Sequence, residues 1–254
     1  MKIATWNVNG IRARQEEVLA FVAREEPDVL CLQEIKAAPD HIPKTIAELP
    51  GYWCAWHGTK GYSGVGLHVR RAIAPDRPII IHPDFDYETR IAAAIVDGIL
   101  IASIYVPNGG KDFPAKVRFL EAMAAYAIAQ RMTRTPVVLC GDLNIARTER
   151  DVHPKERNSR LIGQRPDERA LLERILADGG LHDVGRECDP DNDALFTWWA
   201  PWRNMRQRNI GWRLDYLLAS GDLAVAAESC ASLREVGTSD HAPVVANFGP
   251  RRAP

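Results

Sequence analysis

Short apolar runs that end in an acid or an amide recur along this chain, and they constrain its fold more than any other feature. Residues 2–8 read as a strand ending in the Asn9-Gly10 turn, residues 28–33 as a second leading into Glu34, and residues 136–140 as a third leading into Asp142 and Asn144. Runs this short suit strands buried on both faces. Between the first two, residues 13–25 carry Val18, Leu19, Phe21 and Val22 at helical spacing, so the chain opens with a βαβ-like unit. Further strands are predicted at residues 52–57, 64–69, 78–81, 90–96 and 99–106, with Asp97-Gly98 as a hairpin turn. Others follow at 196–199, 213–219 and 243–248. Helices are predicted over residues 115–130, with Pro114 in the first turn, and over 167–177, closed by Gly179-Gly180. Residues 145–164 are polar and aperiodic and read as a long functional loop. Mixed strands with a few helices on the outer faces define an α/β class with stacked sheets. No Pro/Gly/Ser-rich linker divides the chain, so a single domain over residues 1–254 is expected.

Of the 254 residues, 46% are hydrophobic and 26% charged, which excludes a disordered chain. The longest apolar run, residues 122–129, falls far short of the ~20 residues that span a bilayer. The first strand begins at Lys2, leaving no room for a leader, so a soluble, cytoplasmic protein is expected. The five cysteines form no CxxC pair and read as reduced thiols, with Cys31 and Cys140 inside apolar runs. A net charge of −1, from 32 basic and 33 acidic side chains, neither argues for nucleic acid nor excludes it, because charge can segregate by face.

The strand ends deliver Asn7, Glu34, Tyr105, Asp142, Asn144 and Asp215, and Asp240-His241 precede the last strand. Singly, an acid or amide there is a turn residue. Strand ends of layered α/β proteins converge on sites, however, and this set suits hydrolysis assisted by a hard divalent cation. Oxygen donors without a Cys or His cluster favour magnesium or manganese over zinc. The other histidines (His41, His57, His68, His82, His153 and His182) show no ligand spacing and read as surface or core residues.

These residues sit in an ordered set of motifs. Trp6-Asn7-Val8-Asn9-Gly10-Ile11-Arg12, Leu32-Gln33-Glu34, Gly61-Tyr62-Ser63-Gly64-Val65-Gly66 and Tyr105-Val106-Pro107-Asn108 come first. Gly141-Asp142-Leu143-Asn144, Gly211-Trp212-Arg213-Leu214-Asp215-Tyr216 and Ser239-Asp240-His241 complete it. The chain resembles exonuclease III, the abasic-site endonucleases of the endonuclease/exonuclease/phosphatase superfamily, from Lys2 to about Phe248. The resemblance implies a DNase I-like four-layer α/β sandwich, two stacked mixed β-sheets flanked by helices. It implies hydrolysis of the phosphodiester 5′ to an abasic deoxyribose, leaving a 3′-hydroxyl, and extends to 3′-phosphodiesterase, 3′-phosphatase and 3′–5′ exonuclease activity. By resemblance Glu34, Asn7 and, for a second ion, Asp240 hold Mg2+, with Mn2+ as the alternative. Asp142 orients or deprotonates the attacking water and Asn144 holds that carboxylate and the phosphate. A protonated His241, oriented by Asp215, stabilises developing charge, and Tyr105 donates to phosphate. Asn9 stands where some members carry Asp, and a neutral amide binds a cation more weakly than a carboxylate.

The expected partner is double-stranded DNA with abasic sites or blocked 3′ ends, bound by a monomer with no membrane contact. The segment 196–214 carries Trp198, Trp199, Trp202 and Trp212, four of the seven tryptophans, with Arg203, Arg206, Arg208 and Arg213 and no acid. Arginines interleaved with aromatics suit a phosphate-tracking surface with stacking platforms, or a core edge with solvated arginines. By resemblance Trp198, Trp212 and Leu214 line a pocket for the flipped sugar, although members often carry Phe at Trp198. Arg12, Lys36, Asn108 and Lys111 are further candidate backbone contacts, with Lys60 and Tyr62 as another patch. The alternatives are a phosphoesterase acting on small phosphates, lipids or RNA, and a DNA-binding scaffold without activity. The Asp215–His241 pair also suits a serine hydrolase, but no G-x-S-x-G segment accompanies it.

Overall fold

The computed structural model describes residues 1–250; the last four residues of the expected domain lie outside them. In chain order the elements are β1 (Lys2–Asn7), α1 (Ile11–Glu25), β2 (Val29–Gln33), α2 (Lys44–Ala47), β3 (Tyr52–Thr59), β4 (Tyr62–Arg70), β5 (Ile91–Val96) and β6 (Ile99–Tyr105). There follow α3 (Phe113–Met132), β7 (Val137–Asp142), α4 (Pro166–Gly179), β8 (Leu181–Asp183), α5 (Val184–Cys188), β9 (Asp215–Ser220), α6 (Gly221–Val225), β10 (Ala227–Ser232) and β11 (Val244–Phe248).

Alternation along the first strands sets the layering. Ile3 of β1 with Val29 and Cys31 of β2 packs into one core, while Ala4, Trp6, Leu30 and Leu32 pack into another. Strands buried on both faces need two covers. One is α1, through Ile11, Val18 and Phe21. The other is the second sheet, whose Ala92, Ala94, Ile101, Val138, Cys140, Leu217 and Ala219 share the inner core with Ile3, Val65 and Leu67. The outer face of that sheet is covered by α3 and α4 through Phe119, Leu120, Met123, Leu172 and Ile175. Helix, sheet, sheet and helices make the expected four layers.

The six-stranded sheet runs β10-β11-β1-β2-β4-β3 and the five-stranded sheet β5-β6-β7-β9-β8. Each contains one parallel pair, β1 with β2 and β6 with β7. The β5–β6 hairpin turns at Asp97-Gly98, both at positive φ, as the two-residue turn requires. Helix α3 starts at an Asp112 side chain that accepts the Ala115 N–H, and α4 ends at a left-handed Gly180. All five cysteines are free. No helix among the described residues is long and apolar enough to cross a membrane.

Two predicted strands are not strands. Residues 78–81 make one bridge, Ile81 to Ala93, because Pro78 has no donor and Ile79 is 83% exposed. In 196–199 only Trp198 bridges, since Thr197 and Trp198 both donate to the Trp212 carbonyl while the Trp199 N–H goes to Asp240. Strand β9 begins at Asp215 rather than Arg213, because the Leu214 and Asp215 N–H groups are taken by the Thr197 hydroxyl. Two strands escaped prediction: β8 is only three residues long, and β10 is a largely polar edge strand without an apolar alternation.

Gly141, paired with Ile104 across the parallel β6–β7 ladder, brings backbone against backbone. Its φ is +141°, and a Cβ there would lie 1.9 Å from the Ile104 carbonyl oxygen. Gly141→Ala should therefore destabilise the fold by about 3 kcal/mol or more. Gly221→Ala, where the nearest atom to a new Cβ is 3.5 Å away, should stay within about 1 kcal/mol. Urea unfolding of both variants checks the contrast.

Candidate active site

Parallel pairing sends the C-terminal ends of β1, β2, β6 and β7 to one edge of the sheet stack. Register does the rest: Tyr105 pairs with Asp142, and Asp142 with Asp215. An isolated bridge sets Trp198 beside His241. Glu34, Tyr105, Asn108, Asp142, Asn144, Asp240 and His241 thereby line one cleft of about 390 Å³. Its remaining walls are Ile162, Gly163, Trp198, Trp212 and Leu214. Trp212 and Leu214 face the cleft while Arg213 and Asp215 point behind it, as period-two alternation requires. Asp215 reaches the cleft through His241.

On the floor, Asp142 accepts the Asn144 backbone N–H (2.9 Å) on one oxygen and Asn7 Nδ2 (2.9 Å) on the other. The amide of Asn144 is itself anchored on the Val106 carbonyl, 2.9 Å away. Burial, joined by the charge of Asp215, raises the Asp142 carboxyl to about 7 against the opposing pull of His241, Asn7 and Asn144. His241 Nδ1 lies 2.9 Å from Asp215 Oδ2, and its Nε2 lies 3.8 Å from Asp142 Oδ2. Burial alone would lower the imidazole, but Asp215 and Asp142 outweigh it and raise it to about 10. The ring is an imidazolium at neutral pH, facing a carboxylate poised to exchange a proton. Tyr105 is held as a neutral phenol, a donor, by burial and by the charges of Glu34 and Asp142.

A second group of oxygens sits beside the floor. Glu34 Oε2 accepts Asn7 Nδ2 (3.0 Å), and Glu34 Oε1 lies 2.8 Å from Lys36 Nζ. The same ammonium donates to Asn9 Oδ1 (2.5 Å). Asn9 Nδ2 donates to Asp240 Oδ1, whose other oxygen accepts Trp198 Nε1. Glu34 and Asn9 therefore converge on a positive charge, with Asp240 adjoining, and an all-oxygen set of this kind fits a hard divalent cation. Asn7 is not placed as an oxygen ligand as expected: its carbonyl oxygen accepts the Asn9 N–H and its NH2 joins Glu34 to Asp142. Sequence reasoning missed the support beneath. Lys116, fully buried, pairs with the equally buried Glu168 and donates to the carbonyls of Asn144 (2.8 Å) and Asn108 (3.3 Å). Glu168 also accepts the Gly163 N–H. Neither lies in a recognisable motif; a lysine on the apolar face of α3 was the available signal.

Comparison with known proteins places this arrangement. The model of the Endonuclease/Exonuclease/phosphatase family matches residues 4–241. The chain belongs to this family. It is 32% identical over 249 residues to an exodeoxyribonuclease of Bacillus subtilis, covering 96% of this chain and 98% of that one. It is 32% identical over 255 residues to recombination repair protein 1 of Drosophila melanogaster, covering 98% of this chain but spanning only 37% of that protein's length. Among solved structures, a 3′ phosphatase from Neisseria bound to a product DNA hairpin superposes with a TM-score of 0.89 at 33% identity, covering 98% of this chain and all of that one. An AP endonuclease from Archaeoglobus fulgidus superposes at 0.86 and 30% identity, covering 98% and 99%. The DNase I-like sandwich is shared with both.

For this member of the endonuclease/exonuclease/phosphatase family, two of the proposed DNA contacts require correction. Arg213 is 3% exposed, and its guanidinium is consumed by Asp151 and Asp183 at 2.6–2.8 Å. Arg206 stacks on Trp199 and donates to the carbonyls of Arg234, Val236 and Ser239, clipping two loops together. Both read as basic surface because their acceptors are distant in sequence. Arg208, Arg12, Lys111 and Asn108 are exposed, Asn108 at the cleft rim and Lys111 beside the Tyr62 ring. Lys36 sits in the cation position described above rather than on an open surface. Arg213→Leu leaves two buried carboxylates short of a partner and should cost about 3–5 kcal/mol of stability, whereas Arg208→Leu should fall within about 0.5 kcal/mol. Urea denaturation of the pair makes the measurement.

Proposed function

We propose that the chain is a magnesium-dependent DNA-repair nuclease of the exonuclease III type, hydrolysing the phosphodiester 5′ to an abasic site, with 3′-phosphodiesterase, 3′-phosphatase and 3′–5′ exonuclease activity at the same centre. The observation that carries this reading is the pairing of Asp142 with the His241 imidazolium, 3.8 Å apart, on the floor of a cleft walled by two tryptophans and a leucine. Water attacks phosphorus, one of its protons passes to Asp142, and the bond to the upstream O3′ breaks as that oxygen takes up a proton from solvent, leaving a 3′-hydroxyl and a 5′-deoxyribose phosphate. Asn7 and Asn144 fix the carboxylate, one through each oxygen, so that its orientation at the cleft floor is set before substrate binds. His241 and Tyr105 offer donors where charge gathers on the phosphoryl oxygens. A Mg2+ or Mn2+ held by Glu34, Asn9 and Asp240 would supply electrophilic assistance at the phosphate.

Support for damaged rather than intact DNA comes from the wall. Trp198 and Trp212 meet edge to face at 5.4 Å, and Leu214 and Ile162 complete an apolar recess beside the carboxylates. A deoxyribose without its base fits such a recess, and extruding it forfeits no stacking or pairing. The relatives support DNA as the substrate class, since the Neisseria 3′ phosphatase was solved with a DNA product.

The deciding experiment offers three labelled duplexes, one with a single abasic analogue, one with a 3′-phosphate and one undamaged and recessed. Cleavage of the first should vanish in EDTA and return with magnesium, and Glu34→Gln should shift the magnesium requirement upward. Full activity in excess chelator, or hydrolysis of inositol phosphates in preference to all three duplexes, would overturn the reading. On the same substrates Trp212→Ala should lower abasic cleavage by about 1–3 kcal/mol of transition-state stabilisation, with binding to undamaged duplex unchanged. Equal losses on both would make Trp212 a general contact.

A further inference from the structure

Outside the cleft the fold brings together two histidines and an aspartate that no motif connects. His57 lies on β3, the edge strand of the six-stranded sheet, and His82 and Asp86 on the irregular segment that leads to β5 of the other sheet. Their imidazole and carboxylate ligand atoms all lie within 4.8 Å of one another. The rings stack with centroids 3.8 Å apart and planes 27° from parallel, and His57 Nε2 stands 2.5 Å from Asp86 Oδ2. We infer that His57, His82 and Asp86 form a second metal site, for a borderline first-row divalent cation such as zinc.

The surroundings orient two of the three donors. His82 Nδ1 lies 2.8 Å from the Ile91 carbonyl, which can only accept, so Nδ1 carries the proton and Nε2 keeps its lone pair for an ion. Asp86 Oδ1 accepts the Arg90 and Ile91 N–H groups at 2.7 and 2.9 Å, which leaves Oδ2 to face the rings. Two imidazoles and one carboxylate form a zinc donor set, whereas the nitrogens disfavour magnesium. This ion is therefore chemically distinct from one held by the cleft oxygens, and the inference does not rest on the nuclease reading.

Bound there, the ion would staple the edge of one sheet to the segment bordering the other. That segment needs fixing: Glu88 and Thr89 both adopt positive φ, and Arg90, whose N–H Asp86 holds, spreads its guanidinium 4.7 Å over the Tyr105 ring. The site thus lies one residue contact from the cleft wall.

Titration of the metal-free full chain with Co2+, in saturating magnesium, tests the inference. One equivalent should bind with visible d–d absorption, be displaced by Zn2+, and raise the thermal midpoint. His82→Ala, at an exposed position, should weaken Co2+ binding by more than about 100-fold and remove the thermal shift, as should Asp86→Asn, while Glu34→Gln leaves both intact. Circular dichroism confirms that each variant is folded. Absence of binding, or Co2+ bands that survive His82→Ala and disappear in Glu34→Gln, would overturn the inference and leave His57 and Asp86 an ion pair only.

Discussion

The Gln33 side chain joins the two sheets directly beneath the cleft, and the positions of the reacting groups depend on that junction. It accepts from the Thr5 hydroxyl and donates to Ser103 Oγ, which in turn donates to the Leu32 carbonyl. An apolar interface permits sliding; a buried, fully satisfied polar network within it does not, because any shift strands a desolvated donor or acceptor. Gln33 adjoins Glu34, and Ser103 lies two residues before Tyr105. Locking these side chains fixes the spacing between the oxygens of the first sheet and the Tyr105–Asp142–Asp215 row of the second.

Around that junction the chain accepts backbone strain where function needs particular directions. Asn9, Glu34, Lys36 and Asn144 all have positive φ, although none is glycine. Each conformation costs of the order of 1 kcal/mol, and the residues persist in it because hydrogen bonds over-determine them. The Glu34 carbonyl accepts the Gly10 N–H, Lys36 N–H reaches the Ser63 carbonyl, and Asn144 N–H is bound by Asp142. The left-handed turn after β2 points Glu34 into the cleft instead of along the sheet.

Electrostatics at the floor follow from the same packing. Three ionisable groups, Asp142, Asp215 and His241, share a buried volume that would suit none of them alone. One cation between two anions is the arrangement that survives desolvation. Among the described residues Asp215 Oδ1 has no hydrogen-bond partner, so that carboxylate relies on the imidazolium for its compensation. Lys116 and Glu168 repeat the principle one layer below, a buried pair in which the lysine donates to the carbonyls of Asn108 and Asn144 and the carboxylate accepts the Gly163 N–H.

The sequence by itself determined which polar side chains adjoin the strands, because an acid or amide against a short apolar run stands out even where, as for Asn7, Asp142 and Asp215, it proves buried. Asn7, Glu34, Tyr105 and Asp142 were legible in that way, as were α1, α3, α4 and the Asp97-Gly98 hairpin, whereas Asp215 opens its strand instead of closing it. Residues 78–81 and 196–199 were not, since a strand also requires a partner with free hydrogen bonds at the right register. The tertiary structure alone decided what charges and rings far apart in sequence would meet. Arg213 looks like a phosphate contact until Asp151 and Asp183 close around it, and Arg206 until three distant carbonyls do. His57 and His82 lack ligand spacing along the chain yet stack between the edge of one sheet and the segment leading into the other. Local spacing reports only what one element can present, whereas the electrostatic role of a group is set by neighbours that come close only when the layers pack.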